Sequence, residues 1–432
     1  LYLTDYFTDL VTETNASGNT GAFFYLWMLY ANDQDISSMW NGYYGIIRDA
    51  NYAIMKMEES QREGVATGAE INMYIGEMKF FRAYTLRQLA LRFCEAYDPD
   101  KATTQPGIPV PDKYETGSHL ERGTLADVYK QIQSDITDAE LAVTTAGSAN
   151  AIYLTADAIT AFKAQIALQM HDYPNASKYA SSLYEAYPLI KNKEHLEQMW
   201  REDVSTETIF QPEVTRATLA TVGSMQPYYF GQWQESSKQY VCAPYYVLEQ
   251  KYVDLYSAED YRMGVYLEKA RIQMAGLSNS GYVLSKFIGN KTFQTDRTQL
   301  AYRNMPKIFR VAQMYLIDAE AQNRQNGGGA GPLNTLRQSR GLETTNATGD
   351  DLFEEIQKEY MREMVGEGQR LFDIKRWEIS VKRNNQALGS ILTRRGDAVS
   401  INAASDRIVW PIPQDEISNN PNFGSQNPGY AQ

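Results

Sequence analysis

The chain has 432 residues, 43% of them apolar and 22% charged, enough apolar side chain for a sizeable core, and its length alone would allow two or three domains. An excess of 53 Asp and Glu over 41 Lys and Arg gives a net charge of −12, which excludes nucleic acid and anionic membrane surfaces, since both need a concentrated basic face to displace counterions. The longest apolar stretch, Gly21 to Tyr30, stops at Asn32 and Asp33, short of the roughly 20 residues of a membrane span, so the chain reads as soluble.

From Ser38 to Met57, the residues Trp40, Tyr43, Tyr44, Ile47, Ala50, Ile54 and Met57 recur at steps of three and four and predict a helix with one apolar face. Glu70 to Phe93 predicts a helix apolar on two faces. Its stripe of Ile75, Met78, Phe81, Leu86, Leu89 and Phe93 is widened by Phe80, Ala83, Tyr84, Ala90 and Leu91, so it needs neighbours on both sides. Pro99, Pro106, Pro109 and Pro111 then break helicity, and residues 98–117 read as an extended loop.

Thr124 with Asp127 resembles a capping box opening a helix through Leu125, Val128, Ile132, Ile136 and Ala139. Thr155 with Asp157 opens another, through Phe162 to Leu168. Asp172-Tyr173-Pro174 closes it, and Asn175 starts a further helix through Leu183. Two short antiparallel helices sharing small Ala contacts resemble a tetratricopeptide unit. The pattern returns from Ile308 to Arg324, then a Gly327-Gly328-Gly329 turn, then Leu333 to Arg340.

The fold class is therefore mainly α, a tetratricopeptide-like helix-pair scaffold with a loop-rich insertion. The chain reads as a single domain: scaffold 38–187 and 308–377, insertion 188–307 and C-terminal closing segment 378–432. The insertion reads as irregular, rich in Tyr, Gln, Ser and Gly, with one helical stretch near Tyr245 to Tyr256. Ligand groups are expected there, because binding loops sit on rigid frames.

No catalytic, metal or cofactor site emerges. His119, His171 and His195 form no His-Glu-x-x-His pair, and no Gly-x-Ser-x-Gly elbow appears. Gly327 to Gly331 lacks the Lys-Ser or Lys-Thr of a phosphate loop and reads as a repeat turn. Cys94 and Cys242 are too few for a disulfide framework and lack zinc spacing. The Asn-x-Ser/Thr triplets at Asn15, Asn175, Asn290 and Asn346 arise often by chance. The chain begins at Leu1, without an initiator Met or a signal segment, and reads as a trimmed product.

Glu359 to Trp377 is the richest charged stretch. As chemistry, Glu363 with Glu367 or Asp373 could form a glycosidase acid and base. As structure, Glu359, Arg362 and Glu363 stand at helical spacing, with Arg370 and Asp373 continuing an ion network. Interleaved basic residues should hold the acids ionised rather than raise one pKa for general-acid work, which favours the structural reading.

This stretch resembles the signature of the SusD/RagB family of nutrient-binding outer-membrane lipoproteins through Glu359, Glu363, Glu367, Gly368, Arg370, Asp373, Arg376 and Trp377. Tyr360 departs where the family usually has Arg, and Gly366 where an aromatic is common. Other pieces fall in the family's order: Trp40 to Asn51, Glu77 to Tyr84, Gly107 to Pro109, Leu333 to Arg337, Trp410 to Pro413 and Gln426 to Tyr430. The resemblance implies a SusD-like α/α superhelical fold spanning 1–432 and a location on the extracellular face of the outer membrane. It also implies a lipid anchor outside this chain as the one membrane attachment, and a SusC-like TonB-dependent barrel as partner. The ligand implied is an oligosaccharide or polysaccharide, bound without catalysis and without a cofactor.

A sugar ring offers an apolar face and a rim of hydroxyls, so its binder wants flat aromatics beside polar groups. With 31 Tyr against 15 Phe, the chain is rich in such rings. Two stretches supply both kinds of group. One gives Trp233 as main platform with Tyr228, Tyr229, Tyr245 and Tyr246; the other gives Trp27 and Tyr30 with Asn32 and Asp33 as polar partners. Trp40, Trp377 and Trp410 read as framework, and Trp200 is left unassigned. The competing functions are a peptide-binding member of the same family or a repeat scaffold for protein partners, with a glycoside hydrolase behind both.

Overall fold

In this computed structural model, residues 2–65, 68–117, 119–274, 276–296, 298–393 and 400–430 are described. The chain opens with α1 (Tyr2–Tyr6), β1 (Val11–Glu13), α2 (Ala22–Tyr25), α3 (Gln34–Arg62), α4 (Ala69–Phe93), α5 (Leu125–Ala142), α6 (Ala156–Gln169), α7 (Tyr173–Ser181) and α8 (Lys193–Arg201). There follow β2 (Thr208–Phe210), β3 (Gly231–Gln234), β4 (Gln239–Cys242), β5 (Tyr246–Leu248), α9 (Gln250–Val253), β6 (Leu267–Met274) and β7 (Leu277–Leu284). It ends with β8 (Phe309–Arg310), α10 (Val311–Asn326), α11 (Ala330–Ser339), α12 (Gly349–Glu363), α13 (Arg370–Trp377), β9 (Val381–Lys382), β10 (Ser400–Ile401) and α14 (Gln414–Asn419).

The fold is mainly helical, with tetratricopeptide-like pairs. Helix α3 buries Ile36, Trp40, Ile47, Ala50 and Ile54, the stripe its periodicity predicts. It starts earlier, because Asp33 caps it by accepting from the Asp35 amide at 2.9 Å. It also runs on to Arg62, because polar but strong helix formers continue it, with Lys56 and Glu59 paired at 2.7 Å. Helix α4 packs between α3 and α5, as its two apolar faces require. Gly76 permits the α5 approach: a Cβ there would lie 2.7 Å from that of Ala142. A buried Arg82 ties the three helices, donating to Asp135 at 2.8 Å and to Asn51 at 2.6 Å.

The proline segment 98–117 contains no helix and is fastened to α3, whose Tyr44 hydroxyl donates to the Pro109 carbonyl at 2.8 Å. Thr124 and Asp127 form the reciprocal capping box at α5. Helices α6, α7 and α10 pack together, and α10 also holds α11 and α12. The boundary between α6 and α7 also differs from expectation. Asp172 does not merely end a helix; it caps α7, with Pro174 in the first turn, where the missing N–H costs nothing.

The insertion is more regular than its composition suggests. Helix α8 carries Leu196, Met199 and Trp200 on one buried stripe behind an Asn192 cap, a pattern hidden by its otherwise polar sequence. Strands β3, β4, β6 and β7 form a four-stranded sheet in that order. Within it, β3 and β4 are antiparallel, β4 and β6 parallel, and β6 and β7 antiparallel. The helix expected near Tyr245–Tyr256 is instead strand β5 followed by the single turn α9. Tyr246, Val247 and Leu248 are buried side by side, and β5 pairs antiparallel with β1, setting Glu13 opposite Tyr246. A short apolar run of this kind looks alike in helix and strand, and only the distant partner decides. Among the described residues, no helix is long and apolar enough to cross a membrane.

Candidate functional site

Strand pairing between β1 and β5 brings Tyr246, at the end of one aromatic stretch, against the N-terminal segment that leads into the other. Tyr246 stacks on Tyr6 with ring centroids 3.6 Å apart, and its hydroxyl donates to the Thr20 carbonyl at 2.7 Å. Arg383 lies over Tyr25 at 3.8 Å and over Trp27 at 4.0 Å. It also donates to the carbonyls of Tyr6, Thr8 and Tyr25, so the N-terminal loop is clamped from the far end of the chain.

Four of the nominated rings are enclosed by this packing. Trp27, 6% exposed, donates its indole N–H to the Phe7 carbonyl at 2.8 Å. Tyr228 is 1% exposed and donates to Asp5 at 3.0 Å. Tyr229 is buried in a second apolar cluster with Cys242 and Val247, and its hydroxyl donates to Glu268. Tyr246 is fully buried. These four are framework, because rings buried and hydrogen-bonded within the core have no free face for a ligand. The sequence shows aromatic density but not which side of a strand or turn each ring takes. Burial raises the Tyr228 hydroxyl well above its usual pKa, and Asp5, desolvated beside it, is pushed up to about 7.

The other nominated residues reach the surface. Tyr30 is 47% exposed and meets Phe23, itself 53% exposed, edge to face at 6.1 Å. Asn32 is exposed beside them in the chain, whereas Asp33 is half-buried and engaged as the α3 cap. Trp233 on β3 is half-buried, stands opposite Tyr240 and meets it edge-on at 5.4 Å. Its indole N–H donates to Glu235 at 2.8 Å. Half-buried Tyr245 stacks on Phe230 at 4.9 Å. Neither Trp233 nor Phe230 belongs to the buried apolar clusters.

Phe23 is the residue that sequence reasoning missed. It sits next to Phe24, which is 1% exposed, and nothing in a Phe-Phe pair tells which ring turns outward in a four-residue helix. Trp40, Trp377 and Trp410 are buried, as expected of framework, and the unassigned Trp200 joins them at 2% exposure.

The charged signature builds a buried ion network. Glu363 accepts from Arg310 at 2.8 Å and from Arg262 and Arg340 at 3.0 Å each, and from the Tyr266 hydroxyl at 3.1 Å. Glu359 accepts from Arg262 at 2.7 Å and Arg362 at 2.6 Å, and Glu367 from Lys286 at 2.6 Å. Burial alone would raise Glu363 and Glu359. The guanidinium groups outweigh it and hold Glu363 well below the usual range and Glu359 at about 2. Asp373 departs from this pattern: burial pushes it up to about 6 despite Arg376 at 3.0 Å. The principal partners, Arg262, Arg310 and Arg340, come from outside the signature. Tyr360, where the family has Arg, packs edge-on against Trp377 at 5.4 Å. Gly366 takes φ 73° in the turn after α12, and a Cβ there would meet Leu284 at 2.6 Å. Among the described residues, no group of three or more His, Cys, Asp or Glu is placed to hold a metal ion.

The profile of the SusD family matches residues 143–430, and that of a family described as starch-binding and associating with the outer membrane matches residues 2–168. The starch-binding protein SusD of Bacteroides thetaiotaomicron is 31% identical over 144 residues, 32% of this chain and 25% of that protein. The match therefore spans a quarter of that relative's length. A SusD superfamily protein from Bacteroides thetaiotaomicron superposes with a TM-score of 0.82 at 25% identity, covering 99% of this chain and 94% of that one. A SusD-like carbohydrate binding protein from Bacteroides vulgatus superposes with a TM-score of 0.78 at 21% identity, covering 98% and 90% of the two chains. The latter likeness speaks to the fold alone.

Proposed function

The chain belongs to the SusD family, and from that premise we propose that it captures an oligosaccharide on the external face of the outer membrane and passes it to a SusC-like TonB-dependent barrel. In this reading it is held at the membrane by a lipid anchor and binds its ligand without cleaving it. The observation that carries the reading is the exposed pair Tyr30 and Phe23, 47% and 53% accessible, beside Asn32. Large rings left in water beside an amide suit the apolar face and hydroxyl rim of a sugar. Trp233, with Tyr240 and the Phe230–Tyr245 stack, forms the second platform. The names of the relatives, starch-binding and carbohydrate binding, support the ligand class.

Calorimetric titration of starch-derived and other oligosaccharides into the protein, and into Tyr30→Ala and Trp233→Ala, tests the site. Binding weakened by either change supports it. Full affinity in both variants, or retention of peptides with no oligosaccharide bound, overturns it. Co-purification with a barrel expressed from the same locus tests delivery.

A further inference from the structure

A cleft of about 360 Å³ opens between the scaffold and the insertion, apart from the exposed platforms. Tyr84 of α4, Gln313 of α10 and Gln369 before α13 form its scaffold side, and Trp200, Phe287 and Tyr302 its insertion side. Small-molecule sites are concave spaces of about this size, mostly apolar, with a few convergent polar groups. Two features of the wall narrow the ligand.

Every charge on it is neutralised within the protein. Lys307 is paired with Asp203 at 2.6 Å, Arg310 with Glu363 at 2.8 Å, and Glu367 with Lys286 at 2.6 Å and with Arg310. A charged ligand would leave water without gaining a counterion, so the cleft selects against it. Among its neutral polar groups, Tyr302 is bonded to Gly231, Asn304 to the Trp200 carbonyl and Ser224 to the Gln226 amide, whereas three others keep hydrogen-bonding capacity. Neither the Tyr84 hydroxyl, whose ring is wedged among Phe80, Phe162 and Phe309, nor the Gln369 side-chain amide has a hydrogen-bond partner among the described residues. The Gln313 amide accepts from Gln165 at 2.8 Å, and its own N–H groups have no partner among the described residues.

We propose that this cleft is a second binding site, for a neutral polyhydroxylated ring of one or two sugar units. Tyr84 and the accessible apolar side chains Met225, Pro306 and Ile308 cover the apolar face of the ring, and Tyr84, Gln313 and Gln369 exchange hydrogen bonds with its hydroxyls. The site is independent of the exposed platforms, so it is tested in the Tyr30→Ala, Trp233→Ala double variant. The probes are glucose, galactose, maltose and cellobiose, with glucuronate and glucosamine as charged counterparts, read by calorimetry and by soaked crystals.

The expected result is saturable binding of at least one neutral probe with its density in the cleft, and weaker binding of the charged ones. Tyr84→Phe keeps the ring and removes the hydroxyl, and should lower affinity about fivefold with an unchanged melting temperature. Gln369→Ala, at a partly exposed lining residue, gives the same readout if Tyr84→Phe perturbs folding. The proposal is overturned if no neutral probe binds, if glucuronate or glucosamine binds as well as glucose, or if crystals show the cleft filled by polypeptide. Failure of the exposed platforms would leave this result untouched.

Discussion

Tyr246 and Tyr6, 240 positions apart in sequence, lie stacked with ring centroids 3.6 Å apart and planes 24° from parallel. That contact fastens the insertion to the N-terminal helix, and it separates aromatic residues that build the frame from those that face outward. Tyr246→Ala should cost about 3–5 kcal/mol of stability, because a fully enclosed ring leaves a cavity. Trp233→Ala should shift stability by less than about 1 kcal/mol, since that ring lies outside both buried clusters. Urea denaturation of the two variants checks the contrast.

Binding should show the reverse order. Tyr30→Ala and Trp233→Ala are each expected to weaken oligosaccharide affinity about tenfold, the loss typical of an aromatic anchor worth somewhat over 1 kcal/mol. Asp33→Asn should leave affinity nearly unchanged, because the Asp33 carboxylate is occupied by the Asp35 amide at 2.9 Å and an Asn caps as well. Calorimetry on the three variants decides it.

Glu363→Gln tests the ion network. It removes the charge shared by Arg262, Arg310 and Arg340, and breaking a buried pair in this way costs about 3–5 kcal/mol. The melting temperature should fall sharply, and no reducing-end release from glycans should be seen in either protein. Release by the wild type that disappears in the variant would restore the hydrolase reading.

Two carboxyls give stability opposite slopes with pH. Glu359 is held at about 2 against an ordinary 4.5, so its contribution is present at neutral pH and is lost as pH falls from about 4.5 toward 2. Asp5 is raised to about 7 from 3.8 by burial, so the folded state favours its protonated form. Its contribution is full below pH 4 and declines as pH rises toward 7, by no more than about 1.4 kcal/mol per pH unit. Asp5→Asn should flatten that decline. Urea midpoints from pH 4 to 8 for wild type and variant measure it.

The helical scaffold was legible because its cues are local. The Trp40-to-Ile54 stripe, the Thr124–Asp127 box and the two-faced α4 each announce themselves within a few turns. The insertion was not, because its order is imposed from afar: Tyr246–Leu248 is a strand only because Val11–Glu13 lies beside it. The same limit governed the candidate site. Tyr228, Tyr229 and Tyr246 are indistinguishable by type from Tyr245, and what buries them is Asp5, Glu268 and Tyr6, none of them close in sequence. The ion network was half legible: the acids stand in one signature, while Arg262, Arg310 and Arg340 are scattered over the chain.

The clamp on the N-terminal loop also sets an order of events during synthesis. Asp9 binds Arg370 at 2.8 Å across 361 positions, and Arg383 reaches the Tyr6 carbonyl across 377. At about 5–20 residues per second, those partners leave the ribosome long after the loop does. Residues 2–13 therefore meet only part of their neighbours, such as Trp27 and Arg92, while the helical pairs assemble, gain a paired strand when Tyr246–Leu248 arrives, and lock when Arg370 and Arg383 do. A chain stopped short of Arg383 would contain every ring of both exposed platforms, yet lack the cation that clamps Tyr25 and Trp27 on the segment leading to Tyr30.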